Sequence, residues 1–351
     1  MLFRSELRAQ KFDDLDPVLQ KSVRMVGESW NILDQCINDI WPGWDNYDKE
    51  AYFTLKLKGQ DVLMNTPGEP DGKFKLLDYK LDGKPVYMRK KTPFDKVWGG
   101  KRSFYVNKKR FRAAQFSPPG IEYCENIYDY AVKNLPVLNN DPNFKRLYFS
   151  PEYFIGVIVH EAFHLWQIKT NINKCVNAEH PSSFTVDSIS YYQMRREGQI
   201  LTAACRSNDK SEVQELAKQF LSVRNERRKL LTDEDIHWEQ RNEWTEGSAT
   251  YVQAKLMDFL AKGKYKPVVL NEMAFTGKTF DKYLNMLRTW KLVIHPLTMD
   301  DEAYALNRCY YYGMAQAYIL DKLCGDEWKK SFFEDDVNFE TLLEEYSKSG
   351  S

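Results

Sequence analysis

The feature that most constrains this chain is a pair of histidines in an apolar stretch. His160 and His164 are four residues apart, and Glu161 follows the first of them, within residues 157–166. Four residues advance an α-helix by about 400°, so the two imidazoles emerge about 40° apart and about 6 Å along the axis. Two imidazoles on one helix face can share a zinc ion, with Glu161 beside it as a base. The stretch predicts a buried, metal-binding helix.

The alternative is that both histidines are satisfied residues of the core. From this composition, a chance H-E-x-x-H pattern somewhere in the chain is an event on the order of 1 in 100. The neighbouring residues are uncharged and apolar, and buried polar groups need partners. A buried helix with two histidines and a glutamate therefore favours the zinc interpretation.

A zinc site of this kind needs a third protein ligand and an open fourth position. Gln167 and Thr170 stand where the metzincin extension requires glycine and histidine, so that class is excluded. The third ligand must come from farther along the chain. The candidates are Glu179, His180, Glu197, Glu226, His237, Glu239, Glu243 and Glu246.

Residues 242–251 give the best context for that ligand. Glu243 and Glu246 are one helical turn apart on one face, so one can ligate while the other hydrogen-bonds a ligand histidine. Gly247 and Ala249 are small, which predicts that this helix approaches the zinc helix closely. We expect Glu246 to be the ligand, and Glu243 stays open as the alternative.

H-E-x-x-H followed by E-G-x-A at residues 246–249 resembles the gluzincins, the thermolysin and aminopeptidase N group of zinc peptidases. Residues 310–315, with the sequence Y-Y-Y-G-M-A, are similar to a helix of the aminopeptidase N-like branch. The resemblance implies a zincin-like fold and a zinc-dependent peptidase. It implies Zn²⁺ on His160, His164 and Glu246, with Glu161 as general base. Tyr310 would stabilise the oxyanion, with Tyr311 as second choice and His237 or His295 behind them.

Two rival functions remain. One is a catalytically inactive binding protein on the same scaffold, although such a protein has no use for Glu161 beside a metal. The other is a zinc hydrolase of a non-peptide substrate, since a fold and a metal site do not specify the bond that is cleaved.

Composition and hydrophobic periodicity predict an α+β fold. Hydrophobic residues make up 43% of the chain and aromatic residues 14%, which is enough for a sizeable core. Residues 19–37 have helical spacing, residues 50–117 read as a small, mostly antiparallel sheet with a turn at Asp82-Gly83, and the pattern after Gly120 is helical. In that helical part we expect helices from Ile121 to Leu135, from Pro151 to about Gln167, after a capping pair at Ser211 and Gln214, from about Trp238 to Leu260, and from about Glu302 to Cys324 with a stop at Gly325. We predict an N-terminal helix and sheet subdomain over residues 1–150 and a helical, zinc-binding catalytic subdomain over residues 151–351.

Charge and cysteine usage limit the partners. The net charge is +0, which argues against electrostatic binding of nucleic acid by the chain as a whole. The gluzincin resemblance implies a peptide or protein substrate as the partner. The six scattered cysteines are expected to be free thiols. Arg224, Arg227 and Arg228 are expected on a solvated helix face. No apolar run has the length of a membrane span and no leader is visible, so the expected compartment is the cytoplasm; the alternative is a secreted or periplasmic protein with its leader outside this sequence.

Overall fold

In a computed structural model, the described residues form a seven-stranded sheet and a set of helices. Most of these helices follow the sheet in the chain. The structure describes residues 9–44, 53–57, 59–90, 97–98, 101–116, 151–175, 188–261, 265, 268 and 301–348. The predicted α+β class is confirmed, whereas the zincin-like architecture stays a prediction. The helix expected from Ile121 to Leu135 and the thiol of Cys124 lie outside the described residues.

The first helix, α1 (Pro17–Ile40), is the amphipathic helix that the sequence predicts. Its apolar stripe recurs at helical spacing and is buried, from Leu19 through Trp30 to Ile37. The helix ends directly before Trp41, and Gly43 then takes a left-handed φ of +88°, which glycine adopts without steric cost. The N-terminal helix is therefore confirmed.

The sheet is small and mostly antiparallel, as predicted. Its strands are β1 (Phe53–Leu57), β2 (Gln60–Met64), β3 (Lys75–Leu81), β4 (Lys84–Lys90), β5 (Val97–Trp98), β6 (Lys101–Val106) and β7 (Lys109–Phe116). Their spatial order is β3-β4-β2-β1-β7-β6-β5. Among these described strands, β1 pairs in parallel with β7, and Phe53 lies opposite Ala114; the other pairs are antiparallel. Asp82 and Gly83 connect β3 to β4 with φ of +50° and +72°, the left-handed values of a type I′ hairpin turn.

Seven α-helices of the described residues follow the sheet. They are α2 (Pro151–Thr170), α3 (Ser188–Arg206), α4 (Lys210–Arg228), α5 (Asp233–Asn242), α6 (Ser248–Ala261), α7 (Asp301–Cys324) and α8 (Phe339–Lys348). As predicted, α7 stops at Gly325, which has a left-handed φ of +64°. None of these described helices has the length and apolar character that a membrane crossing requires.

One local prediction was wrong. The predicted capping pair Ser211 and Gln214 does not start α4, because Asp209 is the N-cap and its carboxylate accepts a hydrogen bond from the Ser211 amide at 2.8 Å. The helix expected from about Trp238 to Leu260 is present within a continuous helical run, in which the five residues Glu243–Gly247 form a π-helical turn between α5 and α6. This π-turn carries both glutamates that the sequence singled out.

One hydrophobic cluster includes residues of the N-terminal helix, the sheet and the later helices. Trp41, just after α1, shows how they join: its ring lies 4.9 Å from Phe163 of α2 and 5.2 Å from Trp328 near the C-terminus. β7 also contacts α2. The helix with the histidine pair is thus packed from both halves of the sequence, while the predicted division at residue 150 stays a prediction.

The charged face predicted for α4 is wrong. Arg224 and Arg227 are fully buried and Arg228 is 8% exposed. The spacing of these arginines gave no sign of burial, because their partners lie on other helices. Buried charges of this kind need close counter-ions.

The cysteine prediction holds for every cysteine that the structure describes. Cys36, Cys175, Cys205, Cys309 and Cys324 are free thiols. Burial raises the pKa of Cys36 to about 12, so this thiol stays protonated and behaves as a small apolar side chain.

Candidate metal centre

The two histidines of α2 lie on one face, as their spacing predicts. His160 is 8% exposed and His164 is 4% exposed, and their ring centroids are 4.7 Å apart with the planes nearly perpendicular. Val159 and Phe163 on the same helix are fully buried in the core. The apolar residues therefore anchor α2 and leave the imidazoles facing one shared position.

Glu246 of the π-turn comes to that position from 82 residues farther along the chain. One of its carboxylate oxygens, Oε2, lies 3.3 Å from Nε2 of His160 and 3.2 Å from Nε2 of His164. The Glu246 side chain is 22% exposed, so it closes the site from the solvent side only in part. The structure thus brings together the three residues that the sequence selected as metal ligands.

The residue types and the separations at this site are compatible with one bound zinc ion. Two imidazole nitrogens and one carboxylate oxygen are ligands that zinc takes in hydrolases, at about 2.0–2.2 Å. Atoms at such distances from a tetrahedral ion lie about 3.3 Å from one another. The contacts of Glu246 with both imidazoles have this separation, so the residues fit the ion that the sequence predicts.

Glu161 lies beside the histidine pair. One carboxylate oxygen of Glu161 and one nitrogen each of His160 and His164 all lie within 4.8 Å of one another, a group that could hold a metal ion. Glu161 is partly exposed, whereas Glu246 makes the closer contact with both imidazoles. Glu246 therefore lies nearer to the position that the two imidazoles share, and Glu161 keeps a place from which it can reach solvent at the site.

Gln167 fixes the orientation of the second imidazole. Its side-chain nitrogen donates hydrogen bonds to Ser248 Oγ at 2.7 Å and to the carbonyl of Thr245 at 3.1 Å. The amide oxygen therefore faces His164 and accepts a hydrogen bond from Nδ1–H at 2.7 Å. With the proton on Nδ1, the neutral ring has its lone pair on Nε2, which faces Glu246. Two lone pairs in contact require a positive charge between them, either a second imidazole proton or a metal ion.

Gln167 was not predicted as a functional residue. Position 167 entered the sequence argument only as the glycine position of another motif. A signal existed, because Gln167 is three residues after His164 and such pairs are neighbours on a helix. What the sequence could not supply is the third contact, to Ser248 on α6, which aims the amide oxygen at the imidazole.

His160 differs from its neighbour in its hydrogen bonding. Its Nδ1 is buried and has no hydrogen-bond partner among the described residues. Burial lowers the pKa of His160, although the hydrogen bond to Glu246 opposes that shift, so the neutral imidazole is favoured. Burial raises the pKa of Glu246, but the neighbouring His164 and the hydrogen bonds to both imidazoles outweigh it and hold that pKa well below its usual range. A neutral imidazole and an ionised carboxylate are the forms that ligate a metal.

Tyr310 of α7 completes the wall of the site. Its ring is parallel to that of His160 at a centroid distance of 6.1 Å, and its side chain hydrogen-bonds Glu246. Burial and the nearby Glu246 carboxylate raise the pKa of Tyr310, so the phenol keeps its proton and can donate it in a hydrogen bond. Tyr311, the second choice from the sequence, is also only partly buried.

Glu243 does not face the imidazoles, contrary to its expected position on the same face as Glu246. It is 2% exposed, and both of its carboxylate oxygens accept hydrogen bonds from Arg224 at 2.6 and 2.9 Å. A π-helical turn rotates less per residue than an α-helix, because its hydrogen bonds span five residues. Two residues three apart therefore diverge, and the π-turn sends the two carboxylates to different places.

The other candidate ligands lie elsewhere or outside the described residues. Glu197 and Glu239 are buried against arginines, Glu226 pairs with Lys229 at the surface, and His237 is exposed and lines a surface cleft of about 640 Å³. Glu179, His180 and His295 are not among the described residues. Of the described candidates, Glu246 is the one that contacts both histidines.

The close contact predicted from Gly247 exists, but with a different helix. A Cβ at Gly247 would lie 2.5 Å from Cα of Gly313, so the π-turn packs backbone to backbone against α7 rather than against α2. α2 instead meets α6 at Gly156, where a Cβ would lie 3.1 Å from Gln253. The glycine pair therefore brings α7, with Tyr310 one turn earlier, next to Glu246.

Comparison with family models, with curated proteins and with solved structures finds no match for this chain. The gluzincin resemblance therefore stays a prediction that rests on its three short segments. The geometry of the site is an observation independent of it.

Proposed function

We propose that this chain is a zinc-dependent hydrolase, and that it cleaves peptide bonds. The observation that carries the proposal is the contact of one Glu246 oxygen with Nε2 of both His160 and His164, at 3.3 and 3.2 Å. These three side chains come from two separate helices and have the spacing of zinc ligands. The gluzincin resemblance is what favours a peptide over another substrate.

In the proposed mechanism, each of the neighbouring side chains has its own task. A bound zinc ion supplies Lewis acidity, which polarises a carbonyl group and makes water more acidic. Glu161 accepts a proton from the attacking water and passes it to the leaving amine. Tyr310, protonated and next to Glu246, donates a hydrogen bond to the oxyanion that develops on the substrate. Gln167 holds the His164 ring in the orientation that presents Nε2 to the ion.

Metal analysis followed by a cleavage assay tests the proposal. Purified protein is expected to hold about one zinc per chain, and Glu246→Gln is expected to bind it at least tenfold more weakly. A peptide library is then incubated with the protein, with and without a chelator. Cleavage that the chelator abolishes and zinc restores is the expected result. Stoichiometric zinc without any cleavage would favour the inactive binding protein or a non-peptide substrate instead.

The base assignment has its own prediction. Glu161→Gln removes the proton acceptor but keeps the shape of the side chain, so zinc content should persist while kcat falls by at least a hundredfold. The matched control is Glu226→Gln, which changes an exposed carboxylate paired with Lys229 and should leave both quantities unchanged. Full activity in Glu161→Gln would overturn the role of Glu161.

A further inference from the structure

A cluster of charged side chains is buried between the helices that follow α2. It contains four arginines and four glutamates: Arg224, Arg227, Arg228, Arg308, Glu197, Glu239, Glu243 and Glu340. They come from α3, α4, α5, the π-turn, α7 and α8, and their charges balance. A buried charge is costly unless a partner is close, so the pairings in this buried ion cluster restrict where its helices can lie.

Arg224 is the member of the buried ion cluster that binds the π-turn. Its Nη1 and Nη2 donate to the two oxygens of Glu243 in a bidentate ion pair, at 2.6 and 2.9 Å. The same guanidinium also donates to Glu197 and Glu340. Gln316 of α7 donates to Glu243 Oε2 at 2.7 Å. The Glu243 carboxylate is thereby held from α4 and from α7.

Glu243 begins the π-turn that Glu246 belongs to. In a regular α-helix these two residues would be neighbours on one face, which is the arrangement that the sequence predicts. A π-turn contains an extra residue relative to the α-helix, and such turns are rare because the regular helix is the default. The contact that keeps Glu243 away from the imidazoles therefore also determines that Glu246 reaches them.

We propose that Arg224 is a positioning residue for the metal centre. It does not touch the imidazoles; it binds Glu243, keeps the segment Glu243–Gly247 in its π-helical register, and so directs Glu246 toward His160 and His164. Loss of the bidentate ion pair between Arg224 and Glu243 lets the segment relax toward an α-helix. This change turns the Glu246 carboxylate away from Nε2 of both rings. The consequence for metal rests on the proposed function, whereas the consequence for the π-turn does not.

Arg227 provides the matched comparison. It is one turn from Arg224 on α4, is equally buried, and also binds Glu197, at 2.6 Å. Its Nη1 and Nη2, however, form a bidentate ion pair with Glu239 of α5, both at 2.8 Å, and not with a residue of the π-turn. A lysine at either position keeps the positive charge but cannot form a bidentate ion pair with a carboxylate. Both substitutions should cost stability, and the two should differ at the π-turn.

The experiment compares Arg224→Lys with Arg227→Lys in the full chain, by hydrogen exchange without metal and by zinc titration against a chelator. In Arg224→Lys, exchange of the amides of residues 243–247 should quicken at least tenfold relative to those of α5, and zinc should bind at least tenfold more weakly. In Arg227→Lys, zinc affinity should stay within threefold of the wild type. Equal effects of the two variants on either measurement would overturn the proposal.

A second variant tests the same proposal if Arg224→Lys does not fold. Glu243→Gln keeps the size of the side chain and removes the charge that Arg224 binds, so it should reproduce the faster exchange at residues 243–247 and the weaker zinc binding. Unchanged exchange in that variant would also overturn the proposal. If wild-type protein binds zinc and Glu246→Gln binds it equally well, the proposed function fails, and the exchange measurement still decides the role of Arg224.

Discussion

At the scale of single residues, the candidate site depends on how each imidazole is oriented. His164 is oriented by Gln167, whose amide is itself fixed by hydrogen bonds to the backbone of Thr245 and to Ser248. His160 has no such partner for its Nδ1 among the described residues and lies parallel to Tyr310. The two rings therefore reach the same position through different contacts, and they should respond differently to substitution of their neighbours.

The prediction at this scale concerns Gln167. In Gln167→Ala the Nδ1–H of His164 loses its acceptor, so the ring loses its orientation and zinc should bind about 10–100-fold more weakly. Competition with a chelator measures this affinity. Gln219→Ala is the control, because Gln219 is exposed on α4 and its side-chain nitrogen donates to Glu215 at the surface. An unchanged affinity in Gln167→Ala would exclude an orienting role for this amide.

At the scale of secondary-structure elements, the site is built where the π-turn crosses α7. Gly247 and Gly313 have no side chains, so the two backbones meet in direct contact. That contact places Tyr310 near Glu246, while Arg224 and Gln316 hold the start of the π-turn. The crossing leaves no room for a Cβ, because the atoms in the way belong to the backbone.

A pair of glycine substitutions tests this crossing. In Gly313→Ala the new Cβ would lie 2.7 Å from Cα of Gly247, so the helices must separate, and the free energy of unfolding should fall by about 1–3 kcal/mol. In Gly156→Ala the nearest atom is the flexible end of Met257, and the gain in helix propensity offsets the strain to within about 1 kcal/mol. Denaturant unfolding measures both. A larger loss for Gly156→Ala would contradict the tight crossing.

At the scale of the whole molecule, the buried ion cluster connects six elements and makes stability depend on pH. Burial opposes ionisation of Glu340, but Arg228 and Arg224 outweigh it and lower the pKa of Glu340 to about 2. Burial also opposes ionisation of Glu239, but the neighbouring arginines, Arg227 most of all, outweigh it and hold the pKa of Glu239 well below its usual range. Both carboxylates must take up protons when the chain unfolds in acid.

The sign of this pH dependence follows from the lowered pKa values. A glutamate in the unfolded chain has a pKa of about 4.3. The stabilisation by these ion pairs is therefore fully present above that pH and is lost as the pH falls toward the pKa of the folded state. Glu340 alone should account for a loss of about 3 kcal/mol between about pH 5 and about pH 2. Denaturant unfolding at a series of pH values measures it. Because buried pairs are poorly screened, high salt at neutral pH should not reproduce the loss; a stability that is flat down to pH 3 would contradict the prediction.

The amino-acid sequence by itself determined the local features of this protein. The histidine pair on one helix face, the extent of α1, the hairpin at Asp82-Gly83 and the helix end at Gly325 were all predicted. Each depends on residues within about one helical turn or one hairpin of one another, and the physics at that range is periodicity, capping and backbone conformation. The choice of Glu246 over distant candidates also came from a local signal, the small residues that follow it.

The tertiary structure alone decided what depends on partners far along the chain. The burial of Arg224, the turn of Glu243 away from the imidazoles and the packing of Gly247 against α7 rather than α2 were not predicted. Arg224 looks like a surface residue in sequence because the glutamates that neutralise it lie 19 to 116 residues away. The π-turn has no local signature either. Its register is set by the ion pairs and the glycine contact that only the packed helices provide, since a buried charge goes where its counter-ion lies.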